Sequence, residues 1–389
     1  MNRYFSYLNS AVSICSAYNG QVPFAIYIKQ HFSLNKKFGS KDRKQVSHLC
    51  YCFFRIGKAL PQLTVEEKIV VGLFLCSSQS NEILATLKNE WNEKASFKLN
   101  EKISFLQLPF SLNAVFPLEK ELSDGVSIQD YCNSFFIQPD LFIRIRPGNN
   151  EKVVAKLDEL NIAYEFIPPC TIRLSNNFKV DQHFELDHEV VIQDYNSQQT
   201  GKLVLEVLQQ FDKINMWDCC AGSGGKSIMS YDLKPTIQLT VTDVRKSILL
   251  NLEQRFLKAG INNKKSFIID LTKNQHTNKE KFDFVLADVP CSGSGTWSRT
   301  PEHLCFFEKQ EIDKYATLQK QIVANCVKQL KPGGHLLYIT CSVFKKENEA
   351  IVNYIQESAQ LQLIKSELLK GYNLKADTMF VALFSSSTI

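Results

Sequence analysis

The stretch FVLADVPCSGSGTWSRTPEH, Phe284 to His303, decides how the second half of the chain is read. An apolar run ends in an acid, and a proline, a cysteine and a glycine-rich loop follow at once. Val285 to Ala287 are expected to form a buried strand, with Asp288-Val289-Pro290-Cys291 as the rim of a pocket at its carboxyl end. The plainer reading is a core strand followed by a turn.

Outward from this stretch, residues 201–389 alternate strand and helix. INMWD leads into a glycine loop and a helix, and IQLTVTD into the helix KSILLNLEQRFLKAG; SFIID, FDFVLAD, the helix IDKYATLQKQIVANCVKQL and HLLYITCS follow. Such alternation predicts an α/β domain of Rossmann-like type, a mostly parallel sheet with helices on both faces and ligands at the carboxyl ends of its strands. The first four strands are read as stopping at Asp218, Asp243, Asp270 and Asp288, more acids than turn preference explains. Asp270 also suits a cap for the turn that follows it.

The loop after Asp218 runs Cys219-Cys220-Ala221-Gly222-Ser223-Gly224-Gly225-Lys226-Ser227. A phosphate-binding loop of the pattern GxxxxGK[ST] fails, because Cys220 stands where glycine is required. A GxGxxG dinucleotide loop fails at Ser227. What remains is a nucleoside-type ligand whose ribose hydroxyls are accepted by Asp243 on the next strand, and S-adenosylmethionine fits that description. In YITCSVFKKENE, Tyr338 to Glu349, a second cysteine follows a strand of the same sheet, so Cys291 and Cys341 are expected to face each other across one pocket. Methylating carbon 5 of a pyrimidine needs a thiol, since that carbon is a poor nucleophile until a thiolate adds to carbon 6. A second thiol can serve as base or assist release.

Residues 125–389 resemble the RNA cytosine-5 methyltransferases of the Sun family, relatives of ribosomal RNA small subunit methyltransferase B. The family's DxCAAPGGKT loop resembles Asp218 to Ser227, its DxPCSGxG motif matches Asp288 to Gly295, and its TCS motif matches Thr340-Cys341-Ser342. IQDYNSQ is similar to a further family element. The resemblance implies Cys341 as nucleophile and Cys291 as the thiol that assists product release. It implies Cys220, Ala221, Gly222, Ser223, Gly224, Gly225 and Lys226 around the methionine part of the cofactor, Asp243 at its ribose and Asp270 at its adenine edge. Asp288 would sit between cofactor and cytosine, with Lys226 near the base. DNA cytosine-5 methyltransferases use their PC cysteine instead and lack the second motif, which favours RNA. The chain departs from the family at Gly222 and Ser223, where alanine and proline are usual, and at Ser298, which leaves Arg299 alone where two arginines are usual.

Residues 1–124 read as a helical domain, because apolar residues recur at three and four spacing in YLNSAVSICSAY and VEEKIVVGLFL. Less closely, this region resembles an antitermination-factor-like RNA-binding domain. Lys36, Lys37, Lys41, Arg43 and Lys44 oppose only Asp42, a run that is either a solvated face or a phosphate-contacting patch. Residues 125–200 read as a small α/β module: LFIRIRP, AYEFIP, CTIRLS and VVIQD as strands, NEKVVAKLDEL as a helix, and then a helix through Leu208 capped by Asn196 or Ser197. Arg144 and Arg146 are its candidate RNA contacts. Trp297 is read either as a stacking platform for an unpaired base or as loop packing.

With 389 residues, 44% of them hydrophobic, the chain can bury a sizeable core, and its net charge of +5 suits an acidic partner without requiring one. The 12 cysteines are scattered, with no Cys-x-x-Cys pair, so a reducing cytoplasm is expected and a zinc site is not. No apolar run approaches the ~20 residues of a membrane span. The reading is a cytoplasmic, S-adenosylmethionine-dependent RNA cytosine-5 methyltransferase acting on a single-stranded or flipped cytosine, ribosomal RNA before tRNA. A non-catalytic RNA-binding assembly factor and an amino-group methyltransferase remain as alternatives, neither of which needs a nucleophilic Cys341.

Overall fold

The computed structural model describes residues 3–273 and 280–387. They form two compact units, one made of Met1–Lys120, Val126–Gln138 and Thr296–Lys309, the other of Glu121–Gly125, Pro139–Gly295 and Gln310–Ile389.

The first unit is helical, with its main helices at Arg3–Ala17, Phe24–Leu34, Ser40–Arg55 and Val65–Cys76. The last begins where Thr64 and Glu67 cap each other: the Glu67 amide donates to Thr64 Oγ1 at 3.2 Å and the Thr64 amide to Glu67 Oε2 at 2.8 Å. Its residues Ile69, Val71, Leu73 and Phe74 are buried, as an apolar segment of that length requires. Thr296–Lys309, immediately beyond the PCSGSG loop, belongs to this unit through the buried Arg55. That guanidinium donates to the carbonyls of Phe135, Ile137 and Ser298. Trp297 is only 1% exposed and packs against Phe116, His303 and Phe307, which makes it loop packing and removes it as a platform for a base.

The second unit carries two sheets. The smaller is antiparallel, built from β1 (Leu141–Ile145), β2 (Tyr164–Ile167), β3 (Thr171–Leu174) and β4 (Val190–Ile192) in the order β2-β3-β1-β4. The helix Asn150–Glu159 lays Val153 and Leu157 on Ile143, Ile145 and Ile172. Arg144 and Arg146, expected as RNA contacts, are buried instead. Arg144 Nη1 lies 2.6 Å and Arg146 Nη2 2.7 Å from the carboxylate of Asp232. Arg144 of β1 and Arg146, the residue just after that strand, thus share one buried acid of the helix Gly225–Leu233. The helical stretch after β4 also differs from expectation. It is two short helices, Tyr195–Gln199 and Gly201–Leu208, and the cap is Asp194, which accepts from the Asn196 amide at 2.9 Å.

The larger sheet contains β5 (Asn215–Asp218), β6 (Gln238–Asp243), β7 (Lys264–Ile268), β8 (Phe282–Asp288), β9 (Leu330–Thr340), β10 (Gln362–Leu369) and β11 (Met379–Ser385), in the order β10-β11-β9-β8-β5-β6-β7. Its five strands β5 to β9 run parallel, and β11 and β10 add antiparallel pairs at one side. Successive residues point to opposite faces, and both faces are covered. Met216, Phe284, Leu286, Leu337 and Ile339 pack with Val204, Leu252 and Phe256 on one side; Trp217, Val285, Ala287, Leu336 and Tyr338 pack with Val323, Ile351 and Ile355 on the other.

Removing Asp232 leaves two buried guanidinium groups without their carboxylate. Asp232→Ala should therefore destabilise the protein by about 3–5 kcal/mol, read as a lower denaturant midpoint. A midpoint within error of wild type would show that the arginines do not depend on this pair.

Candidate active site

Parallel strands place their carboxyl ends along one edge, and the expected residues gather there. β5, β6 and β8 end at Asp218, Asp243 and Asp288. β7 ends at Ile268, so Asp270 lies two residues beyond its strand. There it accepts from the Thr272 amide at 3.0 Å and from the Thr272 hydroxyl at 2.6 Å, with Lys273 3.2 Å away, which makes it the cap of its own turn.

The glycine loop follows Asp218. Gly224 adopts a φ of +85°, and a Cβ there would lie 3.0 Å from Leu252, so any other residue would be strained at this position. At Gly222 and Gly225, by contrast, a Cβ would meet nothing within 4 Å, which leaves an open backbone cradle at the start of the helix Gly225–Leu233. The Gly222 amide donates to Asp243 Oδ2 at 3.0 Å, and Arg245 lies on the same carboxylate at 2.9 Å. Against the cost of burial, these donors hold the Asp243 carboxyl below its usual value. Ser223, at the position where the resembled family pattern has proline, is held from outside. Arg255 donates to its carbonyl at 2.8 Å and to its hydroxyl at 3.1 Å, while pairing with Asp187 at 2.6 Å. Nothing in the spacing of Arg255 announces that role.

Beneath the loop, burial pushes the Asp218 carboxyl up to about 7, although the Ser227 hydroxyl donates to it at 2.5 Å and works the other way. Its Oδ1 is buried with no partner. Lys226 reaches from the loop to Asp288, Nζ to Oδ2 2.7 Å. Burial opposes the lysine's charge, but Asp288 outweighs it and keeps the ammonium above its ordinary value.

The two cysteines meet. Cys291 Sγ and Cys341 Sγ are 3.2 Å apart, both thiols are free, and the Cys341 amide donates to Cys291 Sγ at 3.3 Å. The loops that carry them are joined again at Gly295, whose amide donates to the Cys341 carbonyl at 2.8 Å. A Cβ on Gly295 would lie 1.9 Å from the Thr378 carbonyl, so only glycine permits that approach. The Cys341 thiol, then burial, push Cys291 well up, so it keeps its proton at neutral pH.

The remaining candidates lie elsewhere. Lys36, Lys37, Lys41, Arg43 and Lys44 are exposed in the helical unit. The acid within the run, Asp42, is taken up by the Tyr7 hydroxyl at 2.6 Å and the Gly39 amide at 3.0 Å. Arg299 is half-buried in the same unit. Among the described residues no cluster of three or more His, Cys, Asp or Glu side chains is arranged to hold a metal, and no helix is long and apolar enough to cross a membrane.

Residues 203–384 match the family model described as 16S rRNA methyltransferase RsmB/F. Ribosomal RNA small subunit methyltransferase B of Shewanella oneidensis is 36% identical over 151 residues, which cover 38% of this chain and 34% of that protein. Its counterpart from Xanthomonas campestris is 31% identical over 185 residues, 45% of this chain and 40% of the relative. The chain thus spans well under half the length of these two relatives. Among solved structures, that of PH0851 covers 98% of both chains at a TM-score of 0.71 and 17% identity. That of NSun6 from Pyrococcus horikoshii with SFG covers 71% of this chain and 96% of its own at a TM-score of 0.58 and 16% identity. At such identities these two establish the shared fold.

Asp218 makes stability depend on pH in a defined direction. Its folded value of about 7 lies above that of an unfolded aspartate, so between the two the native state holds a proton that the unfolded chain has lost. Stability is therefore greatest below about pH 4 as far as this group is concerned, falls as pH rises to about 7, and is flat above. Asp218→Asn should remove that contribution. The mutant should gain stability relative to wild type as pH rises across this window, measured by urea unfolding at a series of pH values. A constant difference across it would mean that the carboxyl does not titrate there.

Proposed function

Because residues 203–384 form a methyltransferase domain of the RsmB/F family, we propose that the chain is an RNA cytosine-5 methyltransferase that uses S-adenosylmethionine and works through a covalent cysteine–base adduct. The observation that carries this reading is the 3.2 Å approach of Cys291 and Cys341 at the ends of adjacent strands, beside the Lys226–Asp288 pair. An amino-group methyltransferase needs no such pair of thiols. The names of the curated relatives favour ribosomal RNA as the substrate, and the cytoplasm is the compartment proposed for the reaction.

The open cradle at Gly222 and Gly225 and the unpartnered Asp218 Oδ1 fit a bound cofactor of this kind. Cys220 to Lys226 would hold its methionine part, and Asp243 would accept its ribose hydroxyls once the exposed Arg245 side chain swings aside. S-adenosylmethionine supplies the electrophilic methyl group that an activated carbon 5 accepts. The chain's own residues supply the activation. Cys341 gives its proton to solvent and its sulfur bonds to carbon 6, which shifts electron density towards carbon 5. Lys226, kept cationic by Asp288, stabilises negative charge that develops on the base. A water then takes the proton from carbon 5, the electron pair left behind reforms the ring double bond, and the carbon–sulfur bond breaks. Cys291, still protonated, donates to the departing Cys341 sulfur. The exposed run Lys36, Lys37, Lys41, Arg43 and Lys44, with Arg299, would contact phosphates, and the target cytosine must be single-stranded or flipped to expose both ring carbons.

Methyl transfer from labelled S-adenosylmethionine to RNA lacking this modification tests the reading. Wild type should yield 5-methylcytosine and Cys341→Ala none, while Cys291→Ala should accumulate a protein–RNA adduct that survives denaturation. Label that persists in Cys341→Ala would overturn the nucleophile assignment, and RNA binding without label in any sample would leave a non-catalytic assembly factor.

A further inference from the structure

Below the two thiols lies a buried acid for which the reaction has no direct use. Glu347 is fully buried. Its Oε2 accepts from the Ser292 amide at 2.9 Å and from Gln319 Nε2 at 2.9 Å, and its Oε1 accepts from the Ser342 hydroxyl at 2.8 Å. Gln319 Nε2 donates as well to the Pro290 carbonyl at 3.0 Å. The residues on both sides of Cys291 are therefore tied to one carboxylate, directly at Ser292 and through Gln319 at Pro290. The same carboxylate holds Ser342, the residue after Cys341.

Further bonds run between the two loops at this level. The Ser292 hydroxyl donates to Ser342 Oγ at 3.2 Å, and the Val343 amide to Ser294 Oγ at 2.9 Å. The Glu347 backbone is fixed from the sheet, because the Tyr338 hydroxyl donates to its carbonyl at 2.7 Å. A buried carboxylate is costly even with three donors, and burial does raise the Glu347 pKa. A neutral side chain would fill the space without that penalty, but it would not accept from two loops at once.

We propose that Glu347 is a positioning residue that clamps the Cys291 loop to the Cys341 loop and so sets the distance between the thiols. The consequence for turnover rests on the two-thiol chemistry above; the clamp itself does not. Glu347 hydrogen-bonds neither sulfur, so its hold on their positions passes through Ser292, Ser342 and Gln319; its charge reaches Cys291 directly only to help the thiol keep its proton.

The clamp is read without RNA from the rate at which diamide links Cys291 to Cys341, followed by peptide mapping. Each bond formed passes two electrons and two protons from the thiol pair to one diamide. In Glu347→Ala the carboxylate that joins Ser292, Gln319 and Ser342 is gone. Linking should slow by about a hundredfold, since misplacement on the scale of an ångström forfeits that much. In methyl transfer kcat should fall comparably with the KM for RNA within about twofold, a split that general destabilisation does not give. Linking at the wild-type rate in a folded Glu347→Ala protein would overturn the clamp. If that variant does not fold, Ser342→Ala removes one of its bonds, and an unchanged linking rate there would overturn it equally. If wild type links rapidly yet transfers no methyl, the clamp stands and the proposed reaction falls.

Discussion

The chemistry of this chain depends on the register between two parallel strands. β8 and β9 pair so that Asp288 lies opposite Ile339, and the Val289 amide extends the ladder by donating to the Ile339 carbonyl at 3.1 Å. Parallel neighbours leave a sheet at the same edge, and here they leave it in step. Cys291 is three residues past Asp288 and Cys341 two past Ile339, so loops separated by 50 residues of chain deliver their sulfurs to one point. A one-residue slip would turn every inward side chain of β9 to the opposite face of the sheet. The packing of Leu337 and Ile339 on one face and Leu336 and Tyr338 on the other forbids it.

That edge holds four ionisable groups in three different environments. Asp218 is enclosed and drawn towards neutrality, Asp243 is surrounded by donors and stays ionised, and Lys226 keeps its charge through contact with Asp288. The difference is one of neighbours, since all three acids end strands of one sheet. A site that must accept a cationic cofactor and an RNA base gains from this: negative charge is concentrated at Asp243 and Asp288, and little of it is buried beneath the loop.

How much of this was legible in the sequence follows from the range over which each feature is determined. Strands buried on both faces announce themselves as apolar runs, and those of β5, β6 and β8 end in acids, so these three with their terminal residues, and β9 from its run alone, could be read, and with them the meeting of Cys291 and Cys341. Features fixed by distant partners could not. LFIRIRP alternates as a strand should, but nothing local says that Asp232, some 90 residues on, will bury both arginines. Trp297 sits in a loop of small polar residues that suggests exposure, whereas Phe116 and Phe307 enclose it. Asp270 resembled the other strand-ending acids because the end of β7 was misjudged by two residues, the usual uncertainty of an element's boundary. Glu347 was visible only as one acid in a charged run. Its burial follows from the serines of the two loops folding over it.

The small antiparallel sheet finds its place in the same terms. Replacing the loop proline by Ser223 gives up a fixed φ just where the backbone must approach a ligand. Arg255 restores the constraint from outside by holding Ser223 at its carbonyl and hydroxyl, and Asp187 fixes Arg255. Asp187 itself has a φ of +67°, and its carbonyl accepts from Arg146 at 2.8 Å. Arg146 in turn pairs with Asp232 on the helix that starts at the glycine loop. The path from Ser223 through Arg255, Asp187 and Arg146 to Asp232 closes a ring of polar contacts around the cradle. An arginine pair that sequence assigned to RNA thus has a role in the cofactor loop: it ties the small sheet to the loop's helix and, through Asp187, steadies the serine that stands in for proline.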